Sequence, residues 1–232
     1  MPYNILRHMT VHIKGYKKII LEQVMQEITA TGFFAVLDIK GKRTSIILTA
    51  KHFAEDVKRV TFMLHYKENE ALVTVPVSLE VKWSLCEDTD IAYCELKPIE
   101  ERFRKITGKS IYATAVTQDD ILTEEQLNEI NILDAVIMAG YPQGVASTYH
   151  KYPLFAKGHI ASLPKDSLED DEGYVDISAV GGFSGSPLFL ETSELKFLGI
   201  LVGGISDDSS ASSGMCLYVP SYKILRFFKP AE

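Results

Sequence analysis

Apolar and polar residues alternate along most of the chain, in short runs that turn residues separate. The runs include MTVHIKG, VKRVTFMLHY and DIAYCEL in the first half, and AVIMAGYP, KGHIASL and KFLGILVGG in the second. An alternation with a period of two residues, rich in β-branched side chains, is typical of strands with one buried face. A long series of such strands predicts an all-β fold, built as a sandwich or as barrels.

Helical patterns are few. The run PSYKILRFF places proline before apolar residues at helical spacing, which predicts a C-terminal helix. TEEQLNEI predicts one or two helical turns, and IILEQVMQEIT near the N-terminus fits either a helix or the beginning of a strand. DIKGKR predicts a hairpin between two strands.

A polar, weakly patterned stretch at 97–125 divides the strands into two groups. We therefore expect an N-terminal β subdomain over residues 1–100, a connecting segment over 101–125, and a C-terminal β subdomain with its helix over 126–232. A chain of 232 residues is long enough for two such subdomains.

Charge and composition exclude several classes of partner. The net charge is −7 and no long basic run occurs, which argues against a nucleic-acid partner. No apolar run approaches the ~18 residues of a membrane span, and the N-terminal residues lack the apolar core of a secretory signal. The sequence thus predicts a cytoplasmic protein without a membrane partner.

Cysteine usage adds a further restriction. The three cysteines, Cys86, Cys94 and Cys216, form no CxxC pair, so we expect reduced thiols and neither disulfides nor a zinc site. No cofactor or metal is expected.

The stretch GGFSGSP, residues 181–187, is either an ordinary turn or a loop that presents Ser184 as a nucleophile. A serine nucleophile needs a base. His52 follows an apolar strand directly, and Asp90 begins another apolar run. The order His52, Asp90, Ser184 is that of the chymotrypsin-type triad and differs from the two other common orders.

Three motifs carry a resemblance to the chymotrypsin-like serine peptidases. LTAKH resembles their histidine box, DIAYCEL their aspartate box and GFSGSP their serine box. INILDAVIMAGYPQG, KGHIASL and LGILVGG are similar to segments of the bacterial HtrA-type members in the same order, and the Ser-Gly-Ser-Pro variant is similar to the glutamyl endopeptidases. The resemblance covers residues 31–228, and we expect no PDZ domain. It implies two six-stranded antiparallel β-barrels with the active cleft between them and a C-terminal helix.

The resemblance also implies a function, that of a serine endopeptidase acting on protein or peptide substrates through an acyl-enzyme. Ser184 would be the nucleophile, His52 the general base and Asp90 its orienting partner, and the N–H groups of Gly182 and Ser184 would form the oxyanion hole. Two alternatives stay open: a protease-fold protein that binds a peptide or partner with little turnover, and an esterase. For the peptidase, an activating partner or an oligomer that orders the oxyanion loop is a further alternative.

The resemblance places the substrate pocket as well. Ser178 would lie at its floor, and its wall would be formed by Val202, Gly203 and Gly204. A floor without a carboxylate predicts a preference for uncharged, small to medium side chains. Asp176, two residues earlier on the same alternating run, is the alternative source of a charge.

Other residues receive weaker interpretations. Asp88 is an alternative orienting partner for His52, and His159 an alternative binding group in the cleft. We expect His65 and His150 to be packed or solvated. The acidic stretch at 206–213 predicts a flexible hairpin, with a cation site as the alternative. Phe183 stands where trypsin-like enzymes carry an acidic residue that receives a newly cut N-terminus, so we expect activity without N-terminal processing.

Overall fold

The computed structural model describes residues 3–19, 24–143, 152–166, 172–192, 195–206 and 212–228. Four α-helices lie among the described residues, α1 (Lys51–Ala54), α2 (Lys97–Thr107), α3 (Glu124–Asn128) and α4 (Ser221–Phe228). The described strands are β1 (Thr10–Ile19), β2 (Val24–Ile39), β3 (Lys42–Ala50), β4 (Arg59–Glu68), β5 (Ala71–Glu80), β6 (Ser84–Leu85), β7 (Ile91–Glu95), β8 (Val116–Thr117), β9 (Ala135–Gly140), β10 (Leu154–Ser162), β11 (Gly173–Asp176), β12 (Pro187–Leu190), β13 (Lys196–Ser206) and β14 (Ser212–Pro220).

The N-terminal half is a sheet of eight strands in the order β5-β4-β1-β2-β3-β7-β6, with β8 paired to β2 in parallel. All other pairs in this sheet are antiparallel. Within the described residues, no ladder joins the edge strands β5 and β6. A cavity of about 340 Å³ lies between the end of β5 and β7, beside the first turn of α2.

The C-terminal half closes into an antiparallel barrel of six strands in the order β10-β11-β14-β13-β12-β9. Strand β13 takes part in three register shifts. In its pairing with β12 the shift lies between Leu188 and Phe189, and in its pairing with β14 the shifts lie between Leu201 and Gly203 and between Gly204 and Ser206. Such irregularities bend strands and re-aim side chains. The expected all-β fold and C-terminal helix are confirmed, and one of the two expected six-stranded barrels is present as a closed barrel.

The hairpin expected at DIKGKR is also confirmed. Strands β2 and β3 pair from Ile39 opposite Lys42, and the two turn residues, Lys40 and Gly41, have φ of 51° and 78°. Positive φ at both turn positions is the type I′ geometry, whose twist matches that of the flanking strands. This tight turn sets the register that brings the end of β3 to the site.

Helices α3 and α4 confirm the two short helical predictions. The run IILEQVMQEIT is strand from Val24 onward, so the helical interpretation is wrong there and the strand interpretation is confirmed; residues 20–23 lie outside the described residues. This segment pairs with β1 in an antiparallel ladder, and its local residue pattern does not predict these hydrogen bonds.

Helix α2 was not anticipated from the polar stretch at 97–125. It has Pro98 in its first turn, buries Ile99 and Phe103 four residues apart, and ends at Gly108 with a left-handed φ of 69°. Proline at the start and a left-handed glycine at the end are standard helix signals. Most residues between these two signals are charged. The overall polarity of the segment therefore does not indicate its narrow apolar face.

Three apolar clusters form the core of the molecule. One fills the N-terminal sheet around Phe62, and one fills the barrel around Leu188. The third joins side chains of both halves, among them Phe33, Phe197 and Phe189, whose rings lie in mutual contact at centroid distances of 5.2 and 5.6 Å. Because this cluster belongs to both halves, it fixes the seam at which the predicted site residues meet.

No helix within the described residues is both long and apolar enough to cross a membrane.

Candidate active site

His52 and Asp90 are joined by two hydrogen bonds. The His52 backbone N–H donates to Asp90 Oδ1 at 2.8 Å, and His52 Nδ1 lies 2.6 Å from Asp90 Oδ2. The Lys51 N–H also donates to the Asp90 carbonyl at 3.3 Å. A carboxylate at Nδ1 places the ring proton there, so the lone pair lies on Nε2 and can accept a proton.

The local folding explains this contact. Antiparallel pairing of β3 with β7 sets Ala50 opposite Ile91, and His52 follows β3 in the short helix α1. Asp90 directly precedes β7, so the two residues flank the same end of one strand pair. The His52 side chain is 50% exposed and therefore accessible from the solvent side.

Ser184 lies in a segment of two consecutive β-turns, residues 180–186, which we call the Ser184 turn. Each β-turn is closed by a backbone hydrogen bond between its first and fourth residues, at 3.2 and 2.9 Å. The third positions are Gly182, with φ of 93°, and Gly185, with φ of 85°. Positive φ at the third position demands glycine, and this accounts for the glycines in GGFSGSP.

The Ser184 turn is bonded to both halves of the molecule. The Thr31 N–H of β2 donates to the Ser184 carbonyl at 2.9 Å, and the Gly185 N–H donates to the Leu201 carbonyl of β13 at 2.8 Å. The Ser184 hydroxyl lies 3.5 Å from the Val202 carbonyl, a long and weak contact. The serine is thus fixed by its backbone, while its hydroxyl remains weakly engaged.

The Ser184 turn also packs against the end of β3. A Cβ added at Gly185 would lie 2.1 Å from the Thr31 carbonyl oxygen and 2.9 Å from the Ala50 nitrogen. Ala50 is two residues before His52. The fold therefore brings Ser184 beside the strand end that carries His52 and Asp90.

The two predicted oxyanion donors have a common feature. The Gly181 carbonyl accepts from the Gln143 N–H at 2.7 Å, so the Gly182 N–H of the same trans peptide points the opposite way. The Phe183 carbonyl is bonded within the Ser184 turn, which directs the Ser184 N–H away from it. Neither N–H donates to another group in the part of the chain that the structure describes, so both can receive a ligand oxygen.

The residues predicted for the substrate pocket lie on two neighbouring segments. Ser178 is exposed between β11 and the Ser184 turn, while Val202, Gly203 and Gly204 follow one another on β13. A Cβ at Gly203 would meet no atom within 4 Å, and one at Gly204 would lie 4.0 Å from Cys216 Sγ. The space beside these glycines is therefore open.

Cys216 is a residue near this space that sequence reasoning did not single out. Its thiol donates to the Ile177 carbonyl at 3.3 Å, one residue before Ser178, and is buried. Burial raises the pKa of the thiol, so Cys216 stays neutral. Cys216 lies in a strand whose alternating pattern resembles that of several others, and nothing in that pattern predicts its contact with Ile177.

The weaker candidates lie elsewhere or make other contacts. Asp88 is exposed, whereas Asp90 makes the contacts with His52. His65 is buried and its Nδ1 pairs with Thr74 Oγ1 at 2.9 Å. His159 is exposed and lies opposite Asp176 in the β10–β11 ladder.

Three remaining predictions have simpler outcomes. His150 and residues 207–211 of the acidic stretch lie outside the described residues. All three cysteines are free and buried. Among the described residues, no three His, Cys, Asp or Glu side chains are grouped as metal ligands.

Phe183 anchors the Ser184 turn by packing. Its side chain is buried within the barrel cluster and lies against Gly140, where an added Cβ would be 2.7 Å from the ring. Apolar burial of Phe183 thus holds the Ser184 turn in place. A salt bridge to an amino terminus would need a carboxylate at this position instead.

The hydrogen bond to Asp90 raises the pKa of His52, against the opposing effect of burial. The protonated ring stabilises the folded protein at low pH, and this contribution is lost as the pH rises through the raised pKa. A base at Nε2 works only in the neutral form, so its activity changes in the opposite direction, increasing through the same pKa.

Comparison with known proteins adds no relative: the sequence matches no protein-family model and no curated protein.

A role of His52 as the base for Ser184 predicts a pH-dependent reactivity of that serine. We expect the rate of labelling by a fluorophosphonate to fall as the pH decreases, with a midpoint above the ordinary histidine value of 6.5. Asp90→Asn should lower the labelling rate throughout this pH range, because an amide at Nδ1 moves the ring proton to Nε2 and removes the lone pair that accepts the serine proton. A labelling rate that is flat through the histidine range would contradict a role for His52 as the base.

Proposed function

We propose that this protein is a serine endopeptidase of the chymotrypsin type, with its active cleft at the seam between an N-terminal β-barrel subdomain and the C-terminal barrel. His52, Asp90 and Ser184 form the catalytic triad. The observation that carries the proposal is the pair of hydrogen bonds between His52 and Asp90, beside the strand end against which the Ser184 turn packs.

The reaction begins when the Ser184 hydroxyl attacks the carbonyl carbon of the substrate. His52 Nε2 accepts the hydroxyl proton, a general base step that contributes about 10²–10⁴-fold to the rate. Asp90 holds the ring and stabilises the imidazolium that forms. The electron pair of the carbonyl moves to its oxygen, and the N–H groups of Gly182 and Ser184 bind this oxyanion.

The second half of the reaction reverses the roles. His52 returns its proton to the leaving amine as the bond between the carbonyl carbon and nitrogen breaks, which leaves an acyl group on Ser184. Water then attacks this ester with His52 again as the base, and Ser184 is released with its proton restored.

The two N–H groups without a described acceptor favour an enzyme over a protease-fold binding module. A loop kept only for its shape has no need of two unbonded N–H groups at Gly182 and Ser184, because buried donors without partners cost free energy. Gly182 belongs to the buried residues, and its N–H has no acceptor among the described residues. Esters share the same acyl chemistry, and the experiment below includes them.

For the residue that precedes the scissile bond, we expect uncharged side chains of small to medium size. Ser178 offers a hydroxyl, Cys216 a neutral thiol, and Gly203 and Gly204 leave open space. A buried cationic side chain would have no carboxylate partner at such a floor. Cleavage of an unbiased peptide library measures this preference.

Two outcomes of the library experiment would contradict the pocket assignment. Enrichment of Lys or Arg would indicate that Asp176 supplies a charge, and Asp176→Asn should then abolish it. Enrichment of Glu would point to a cationic group, with His159 tested first by His159→Gln.

The proposed function itself is tested by hydrolysis. The intact chain should cleave peptides from the library, and matched esters as well, with no N-terminal trimming detected by mass. Cleavage of esters alone would make the protein an esterase. Tight binding of peptides without any cleavage would make it a binding protein.

A further inference from the structure

Thr31 belongs to β2 of the N-terminal sheet, yet its hydrogen bonds reach the Ser184 turn of the other half. Its hydroxyl donates to the Gly182 carbonyl at 2.9 Å and accepts from the Tyr141 N–H at 2.8 Å. Its own N–H donates to the Ser184 carbonyl. The side chain is fully buried, so these bonds form away from water.

One partner of the hydroxyl, the Gly182 carbonyl, adjoins the peptide that carries the Gly182 N–H, and the other belongs to the segment packed against Gly182. Gly182 Cα lies between that N–H and the carbonyl bonded by Thr31. On the other side, a Cβ at Gly182 would be 2.5 Å from the Tyr141 carbonyl oxygen and 2.6 Å from the Gln143 nitrogen. The Thr31 hydroxyl therefore connects the glycine to the backbone segment that supports it.

Glycine needs such external support, because it has the greatest backbone freedom of any residue. Within the described part of the chain, no other hydrogen bond reaches the Gly182 carbonyl or leaves the Tyr141 N–H. Loss of the Thr31 hydroxyl would leave the Gly182 carbonyl and the Tyr141 N–H without partners, and rotation of the peptides at Gly182 would relieve the cost at the carbonyl.

We propose that Thr31 is a positioning residue that orients the Gly182 N–H toward the oxyanion from the opposite half of the molecule. The inference rests on the proposed function, because it assigns a means of holding the oxyanion hole in shape. It makes the competence of the hole depend on docking of the N-terminal sheet against the barrel.

Thr31→Val tests this, because valine keeps the shape of threonine and removes only the hydroxyl. We expect the maximal rate of fluorophosphonate labelling to fall by about 10²-fold, as for the loss or small misplacement of an oxyanion donor. The probe concentration at half-maximal rate should stay the same, since the hole acts on the transition state. Thr31→Ser restores the hydroxyl and should restore the labelling rate.

Thr49→Val is the matched control. The Thr49 hydroxyl is also fully buried, lies against Gly185 and donates to the Thr31 carbonyl at 2.8 Å, but it makes no hydrogen bond to the Ser184 turn. Valine at this position keeps the volume beside Gly185 and removes one buried hydrogen bond within the N-terminal sheet, so the labelling rate should stay well above that of Thr31→Val.

Hydrogen exchange of residues 180–187 gives a readout that does not depend on activity. Exchange there should be faster in Thr31→Val than in Thr49→Val at a temperature where both are folded. The inference is overturned if Thr31→Val labels like the wild type, if Thr31→Ser does not restore labelling, or if Thr49→Val has an equal effect. Absence of labelling in the wild type would instead refute the proposed function on which the inference rests.

Discussion

Ser184→Ala should abolish peptide hydrolysis while leaving the fold intact. The change removes one hydroxyl whose contact, with the Val202 carbonyl at 3.5 Å, is long, so little stability depends on it. The reaction, by contrast, loses its nucleophile. Removing the serine of such a triad lowers kcat by about 10⁶-fold. The measurement is turnover of a library-derived peptide, beside the thermal midpoint of unfolding.

Ser186→Ala is the matched control in the same turn. The Ser186 hydroxyl is fully buried and has no hydrogen-bond partner among the described residues, so its removal takes away nothing that the site uses. This variant should hydrolyse the peptide as the wild type does. Turnover by Ser184→Ala comparable to that of Ser186→Ala would refute the assignment of the nucleophile.

Asp90→Asn should lower kcat by about 10⁴-fold, the effect of this change in enzymes that use the triad. The carboxylate accepts from both the backbone N–H and the ring of His52. An amide at this position can donate to Nδ1, which moves the ring proton to Nε2 and removes the lone pair that accepts the serine proton. We expect little change in the KM, because Asp90 lies on the Nδ1 side of the His52 ring and not on the Nε2 side, where the reaction is proposed to occur.

Asp88→Asn provides the comparison, because it makes the same chemical change two residues away on an exposed side chain. We expect its kcat to remain near that of the wild type. A large loss in Asp88→Asn together with a small one in Asp90→Asn would exchange the two roles.

The strands could be predicted from sequence because their alternation is a local signal. The same holds for the glycines of the Ser184 turn, since positive φ at Gly182 and Gly185 follows from turn chemistry. Helix α2 was missed because its apolar face is narrow. Of the two six-stranded barrels predicted, the C-terminal one is confirmed; the described N-terminal ladder has no pairing between β5 and β6, and closure of a barrel depends on pairings far apart in the chain.

The site could be predicted only in part, because some of its contacts also join residues that are far apart in the chain. His52 and Asp90 stand out by residue type and by their flanks, and the fold brings them into contact. Thr31 and Cys216 are hydrogen-bonded to Gly182 and Ile177, which are 151 and 39 residues away in the chain. A buried threonine or cysteine in an alternating strand carries no local mark of such a contact.

The most direct test of the account is labelling of the intact chain with a fluorophosphonate, followed by peptide mapping. A reactive serine with a general base and an oxyanion hole attacks the phosphorus atom, and an ordinary turn serine does not. The account predicts one adduct per chain, located on Ser184 and absent in His52→Ala. No adduct on the folded chain, or an adduct on another residue, would contradict it.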